Sequence, residues 1–128
     1  MSTLHQKLNK PKHNLFRNGG YAVEGLLDVI KNETSFKWQL LMLFGFGILA
    51  WVLPVSFAVA SILSISLFLP VLAEIINSAI ERVVDLVTSD YHILAKQAKD
   101  VGATIVLLSL IVTTLIWSAT LLVAFEIV

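Results

Sequence analysis

The chain has 128 residues, with nine Lys and Arg set against nine Asp and Glu, and no cysteine. Its apolar share of 57% and mean hydropathy of +0.85 lie above soluble domains, whose apolar usage is roughly 45–50%. These values exclude an ordinary soluble domain, a disulfide framework and a thiolate metal site, and the balanced charge gives no reason to expect a nucleic-acid partner.

Met1 to His13 is polar, basic and holds Pro11, and reads as a loose cytoplasmic tail. From Asn14 to Lys31, Leu15/Phe16, Gly19, Ala22/Val23, Leu26/Leu27 and Ile30 recur every three or four positions, with Arg17, Glu24, Asp28 and Lys31 between them. That spacing predicts an amphipathic helix over 14–32, too polar to span, lying flat in the headgroup layer. A helix packed on other protein fits the same pattern. Asn32 offers an N-cap for a new helix beginning Glu33-Thr34-Ser35. Leu40 to Ala73 carries no formal charge. As one helix, these about 34 residues would be roughly 51 Å long against a hydrocarbon core of about 30 Å. Two spans are therefore expected, broken at Pro54. The first covers 36–53, with Trp38 and Trp51 as interfacial anchors. The second helix covers 55–88 and brings Glu74 to the opposite membrane face, with Pro70 able to bend it just before the carboxylates. Ser89 or Asp90 can cap a short segment from Tyr91 to Lys99, and 101–125 forms a third, uncharged span. Lys and Arg cluster before span one and between spans two and three, so the positive-inside rule puts the N-terminus in the cytoplasm and the C-terminus across the membrane. No secretory leader is expected, because the first apolar run starts only near Leu40. The fold class is thus all-α integral membrane, one domain with a surface helix and three transmembrane helices.

One stretch, Ala73 to Asp85 (A-E-I-I-N-S-A-I-E-R-V-V-D), is too polar to be membrane filler. At 100° per residue Glu74, Asn77, Ser78, Glu81 and Asp85 share a face, with Ile75, Ile76, Ile80, Val83 and Val84 on the other side. Carboxylates at bilayer depth cost roughly 2.5–3.5 kcal/mol each and point to function. Hard oxygen donors without cysteine favour Mg²⁺ over zinc or copper. Carboxylates with Mg²⁺ and a nearby lysine attract a nucleotide triphosphate and suit phosphoryl transfer. A non-catalytic subunit conducting ions or protons along the stripe is the competing reading. No G-x-x-x-x-G-K-[ST], H-R-D or D-F-G motif is present, and Gly19-Gly20 is too short for a phosphate loop. Blander readings exist for several residues. Glu81 with Arg82, or Asp85 with a lysine, reads as a surface pair worth under about 1 kcal/mol. Asp90 reads as a helix cap, and a lone His92 as structural.

E-I-I-N-S-A-I-E-R-V-V-D (Glu74–Asp85), S-D-Y-H (Ser89–His92) and A-K-D-V-G-A (Ala98–Ala103) together resemble the prokaryotic diacylglycerol kinase family. G-Y-A-V-E-G-L (Gly20–Leu26) and N-E-T-S-F (Asn32–Phe36) are similar to its surface helix and first loop. The resemblance covers nearly the whole chain after about residue 14. It implies a homotrimeric bundle with active sites shared between subunits, using Mg²⁺ and ATP to phosphorylate a lipid alcohol at the cytoplasmic leaflet of the inner membrane. By that resemblance Glu74 is the general base and touches the lipid, and Glu33 and Glu81 hold the metal and the nucleotide. Asn77 is the amide beside them, and Lys99 meets the triphosphate. Tyr21, Asp90, Tyr91, His92 and Asp100 match nucleotide contacts. Gly20, Tyr21, Ser35, Phe36, Ala103 and Trp117 match the lipid groove. Where the family often has a basic residue near the start of the surface helix, this chain has Asn14, and Arg17 one turn later is placed to compensate in phosphate binding. S-D-Y-H and D-V-G-A look more like the diacylglycerol branch than the undecaprenol kinases of the same fold.

Overall fold

A computed structural model describes residues 14–126; the expected tail at 1–13 lies outside them. The described chain is helical throughout, with α1 at Leu15–Asn32, α2 at Thr34–Val52, α3 at Phe57–Ser66, α4 at Phe68–Val87 and α5 at Ile93–Ala124. Three stretches are long and apolar enough to cross a membrane: Thr34–Val52, Phe57–Val87 and Ile93–Ala124. The protein is a multi-pass integral membrane protein.

Local chemistry sets each boundary. Asn14 begins α1 with its side-chain oxygen accepting the Phe16 N–H at 3.1 Å, which satisfies one of the orphan donors of a first turn. The expected Asn32 cap is not made. Asn32 is the last residue of α1 and donates to Asp28 at 2.6 Å, while extended Glu33 turns the chain. Val29 before that turn and Phe36 after it are buried with Val71, and this small cluster fixes the α1–α2 corner onto α4. Helix α2 ends at Leu53, held extended as the residue before Pro54. Ser56 then opens α3 by accepting the Val59 N–H at 3.3 Å. Neither Ser89 nor Asp90 starts the last helix. His92 does so, its Nδ1 accepting the Leu94 N–H at 3.2 Å. The short segment expected at 91–99 and the third span are one continuous helix.

The break between α3 and α4 falls at Leu67, three residues before Pro70. Proline has no N–H to offer the carbonyl four residues back and its ring crowds that carbonyl. That carbonyl belongs to Ser66, and Thr113 of α5 donates its hydroxyl to it at 3.2 Å while also bonding Ser109 O at 2.9 Å. A polar side chain from a neighbouring helix thus satisfies the group that proline strands at membrane depth. The pairing of α4 with α5 is the most extensive in the chain. The two helices come close at buried Gly102, where a Cβ would press into the Asn77 Oδ1 of α4.

Candidate functional site

The α4 stripe is arranged in depth. Glu74 is 5% exposed, and both of its carboxylate oxygens are held from α2. The Ser35 hydroxyl donates to Oε1, and the Gln39 amide donates to Oε2 at 3.2 Å. Each oxygen keeps a second lone pair, so the carboxylate can still accept a proton. One turn on, buried Asn77 donates to Glu81 at 3.0 Å, and its own Oδ1 has no partner. Further along, Asp85 accepts from Lys99 of α5 at 2.6 Å, so the expected Asp85–lysine pair is present. The Glu81–Arg82 pair is not among those formed. Arg82 turns instead to Asp28 of α1 and to Glu33, the latter at 3.3 Å.

Two hollows flank the stripe. The first, about 420 Å³, is an apolar groove between α2, α4 and α5, lined by Gln39, Leu43, Phe46, Pro70, Thr113 and Trp117 among others. The Phe46 and Trp117 rings meet edge to face at 5.4 Å. Two buried polar atoms in this otherwise greasy groove lack partners, Gln39 Oε1 and Trp117 Nε1. Gln39 therefore joins the groove to Glu74. The second, an open cleft of about 530 Å³ at the α4–α5 connection, is lined by Asp85, Asp90, Tyr91, His92, Lys96, Lys99 and Asp100, with others.

The structure gathers the candidate residues unevenly. Asp90, Tyr91, His92, Lys99 and Asp100 line the cleft together, although His92 also caps α5 and Asp100 accepts from Lys96 at 2.5 Å. Trp117 lines the apolar groove, but Ser35 binds Glu74, Phe36 is fully buried in the core and Ala103 is exposed on α5. Asn14, Arg17, Gly20 and Tyr21 lie along exposed α1 and line neither hollow. Gln39, Asp28 and Arg82 join the site through contacts between helices that the sequence pattern does not mark. The signal for Gln39 was a lone amide at the start of an apolar span. Nothing local pairs Asp28 with Arg82, since they are far apart in the chain.

The donor set can be weighed against Mg²⁺. Among the described residues no three His, Asp or Glu side chains converge to hold an ion, which argues against a ready-made protein cage. Glu81, and Glu33 at the corner, are partly exposed oxygen donors, while the unpartnered Asn77 Oδ1 beside Glu81 is buried. Mg²⁺ characteristically takes only one or two protein carboxylates and completes its shell with water and substrate phosphates. The residues fit that mode.

The profile of the prokaryotic diacylglycerol kinase family matches residues 20–121. The diacylglycerol kinase of Escherichia coli K12 is 36% identical over 104 residues, covering 80% of this chain and 84% of that one. That of Helicobacter pylori 26695 is 36% identical over 108 residues, with 84% of each covered. That of Haemophilus influenzae Rd is 32% identical over 113 residues, with 84% and 91% covered.

Proposed function

Because the chain belongs to the prokaryotic diacylglycerol kinase family and is a lipid kinase of that kind, we propose that it transfers the γ-phosphate of Mg-bound ATP to diacylglycerol. Phosphatidic acid is the product. The observation that carries this reading is the position of Glu74, a buried carboxylate joined through Gln39 to an apolar groove between α2, α4 and α5. Nothing about family membership supports the ion-conducting reading.

In this account the acyl chains lie in the groove and the free hydroxyl approaches Glu74. Ser35 already donates to this carboxylate, the geometry expected of an incoming alcohol. Glu74 takes the hydroxyl proton as the lipid oxygen forms its bond to the γ-phosphorus, and ADP leaves with the electrons of the broken P–O bond. Ser35 and Gln39 keep the carboxylate aimed, which is where most of the rate of an in-line transfer arises. Asp90, Tyr91, His92, Lys99 and Asp100 form the nucleotide cleft, and Lys99 leaves Asp85 to meet the triphosphate. Asn14, Arg17, Gly20 and Tyr21 reach nucleotide or lipid from α1, which lies on the membrane surface. Mg²⁺, held by Glu33 and Glu81, would neutralise the phosphate charge. The enzyme sits in the inner membrane as a homotrimer with its active sites at the cytoplasmic face and shared between subunits.

The decisive experiment gives purified protein labelled ATP with diacylglycerol or undecaprenol, with and without Mg²⁺. Label should pass to diacylglycerol only when Mg²⁺ is present. Glu74→Gln should lose nearly all turnover, at least about 10³-fold, near the usual range for a general base, while still binding Mg-ATP. A preference for undecaprenol would reassign the substrate, and full activity in Glu74→Gln would remove the base.

A further inference from the structure

We propose that Arg82 is a positioning residue for Glu33, and that Asp28 offsets its charge so that Glu33 stays available to a divalent cation. This rests on the reading of Glu33 as a metal-binding carboxylate. Three elements supply the cluster: α1 gives Asp28, the α1–α2 turn gives Glu33 and α4 gives Arg82. One guanidinium nitrogen, Nη1, donates to Asp28 Oδ2, and the other, Nη2, donates to Glu33 Oε1 at 3.3 Å. Asp28 has the tighter of the two bonds. Glu33 Oε2 receives no side-chain donor among the described residues, so one face of that carboxylate is open.

Charge explains why three residues are needed. Arg82 alone on Glu33 would make a neutral pair, and a cation would have to displace an arginine to reach the carboxylate. With Asp28 included, the cluster carries a net single negative charge. The guanidinium, held mainly by Asp28, fixes the orientation of Glu33 without cancelling it. Carboxylates that ligate metals are characteristically held this way by an outer hydrogen-bond partner, whose loss costs about 10–100-fold in affinity. The planar fork of arginine can bridge two carboxylates, which the single ammonium of lysine does poorly. The same contact ties the surface helix to α4, so docking of α1 and readiness of the cation site depend on one side chain.

The experiment titrates Mn²⁺, read by its paramagnetic resonance signal, into the full chain in detergent with β,γ-methylene-ATP present, so that no turnover is involved. Glu33→Gln, Arg82→Gln and Asp28→Asn should each weaken Mn²⁺ binding by about tenfold or more. The double variant Asp28→Asn/Arg82→Gln should bind no more weakly than Arg82→Gln alone, because Asp28 matters only while the guanidinium is there. If Arg82→Gln does not fold, Arg82→Lys serves in its place and should weaken binding by a smaller factor. Should Glu33→Gln weaken binding while the Asp28 and Arg82 variants leave it unchanged, the proposal is overturned and the metal role of Glu33 stands. Should Glu33→Gln leave binding unchanged, that role falls and the proposal with it. Losses that add in the double variant, or tighter binding in Asp28→Asn, overturn the proposal alone.

Discussion

At the level of single residues, Gly102 and Asn77 form a tight steric constraint near the site. A side chain at 102 would strike the Asn77 amide, so Gly102→Ala must either push Asn77 off Glu81 or part α5 from α4. Overpacking of this kind costs about 1–3 kcal/mol. Stability in a mixed-micelle unfolding titration should fall by that order, and turnover with it. Adding Asn77→Ala should recover the stability and leave turnover low, which separates the steric role of the amide from its chemical one. The stripe itself was readable from the sequence, since a period of 3.6 places Glu74, Asn77 and Glu81 on one face whatever the fold. The partners were not. Ser35 and Gln39 reach Glu74 from another helix, and Arg82 passes over neighbouring Glu81 for two carboxylates far away in the chain. No periodicity encodes contacts between helices.

At the level of elements, the α3–α4 interruption depends on a hydrogen bond that crosses to α5. Removing the Thr113 hydroxyl leaves the Ser66 carbonyl without its α5 donor. Thr113→Val should therefore destabilise the protein by about 0.6 kcal/mol, the average for hydrogen bonds between helices in membranes, and by no more than about 1.7 kcal/mol. The same variant with Pro70→Ala should regain most of the loss, because alanine returns the missing N–H. A double-mutant cycle by unfolding titration reads this coupling, and strictly additive costs would contradict it. The number of spans and the Pro54 turn could be read from apolar length and proline chemistry alone, whereas the split of 55–88 at Leu67 and the joining of 91–99 to the last span could not. Helix starts were less legible, because Asn32, Ser89 and Asp90 all suit a cap. Tertiary packing chose Glu33 and His92 instead, with Val29 and Phe36 buried around the first of these turns.

For the whole molecule, the cleft bearing Lys99 and the groove leading to Glu74 are separate hollows in one chain. Three spans with many exposed apolar side chains, among them Phe44, Ile48 and Leu115, leave ample surface for other subunits. If one subunit's nucleotide cleft serves its neighbour's Glu74, mixing inactive Glu74→Gln and Lys99→Ala chains should restore part of the activity. Mixed assemblies that stay silent would place both functions within a single chain. A sequence read as one chain names the parts but carries no register between copies.

Helix α5 runs unbroken from His92, its cap in the cleft, to Ala124. Its 32 residues make a strut of about 48 Å, well beyond the about 30 Å of hydrocarbon. On the proposed reading of that cleft as the nucleotide site, its floor is thereby set at a fixed height above the membrane mid-plane. The lipid hydroxyl, in contrast, rides at a level decided by the bilayer. Reconstitution in phospholipids of graded acyl length should therefore reveal an optimum thickness for catalysis, with turnover falling on both sides as acceptor and donor drift out of line.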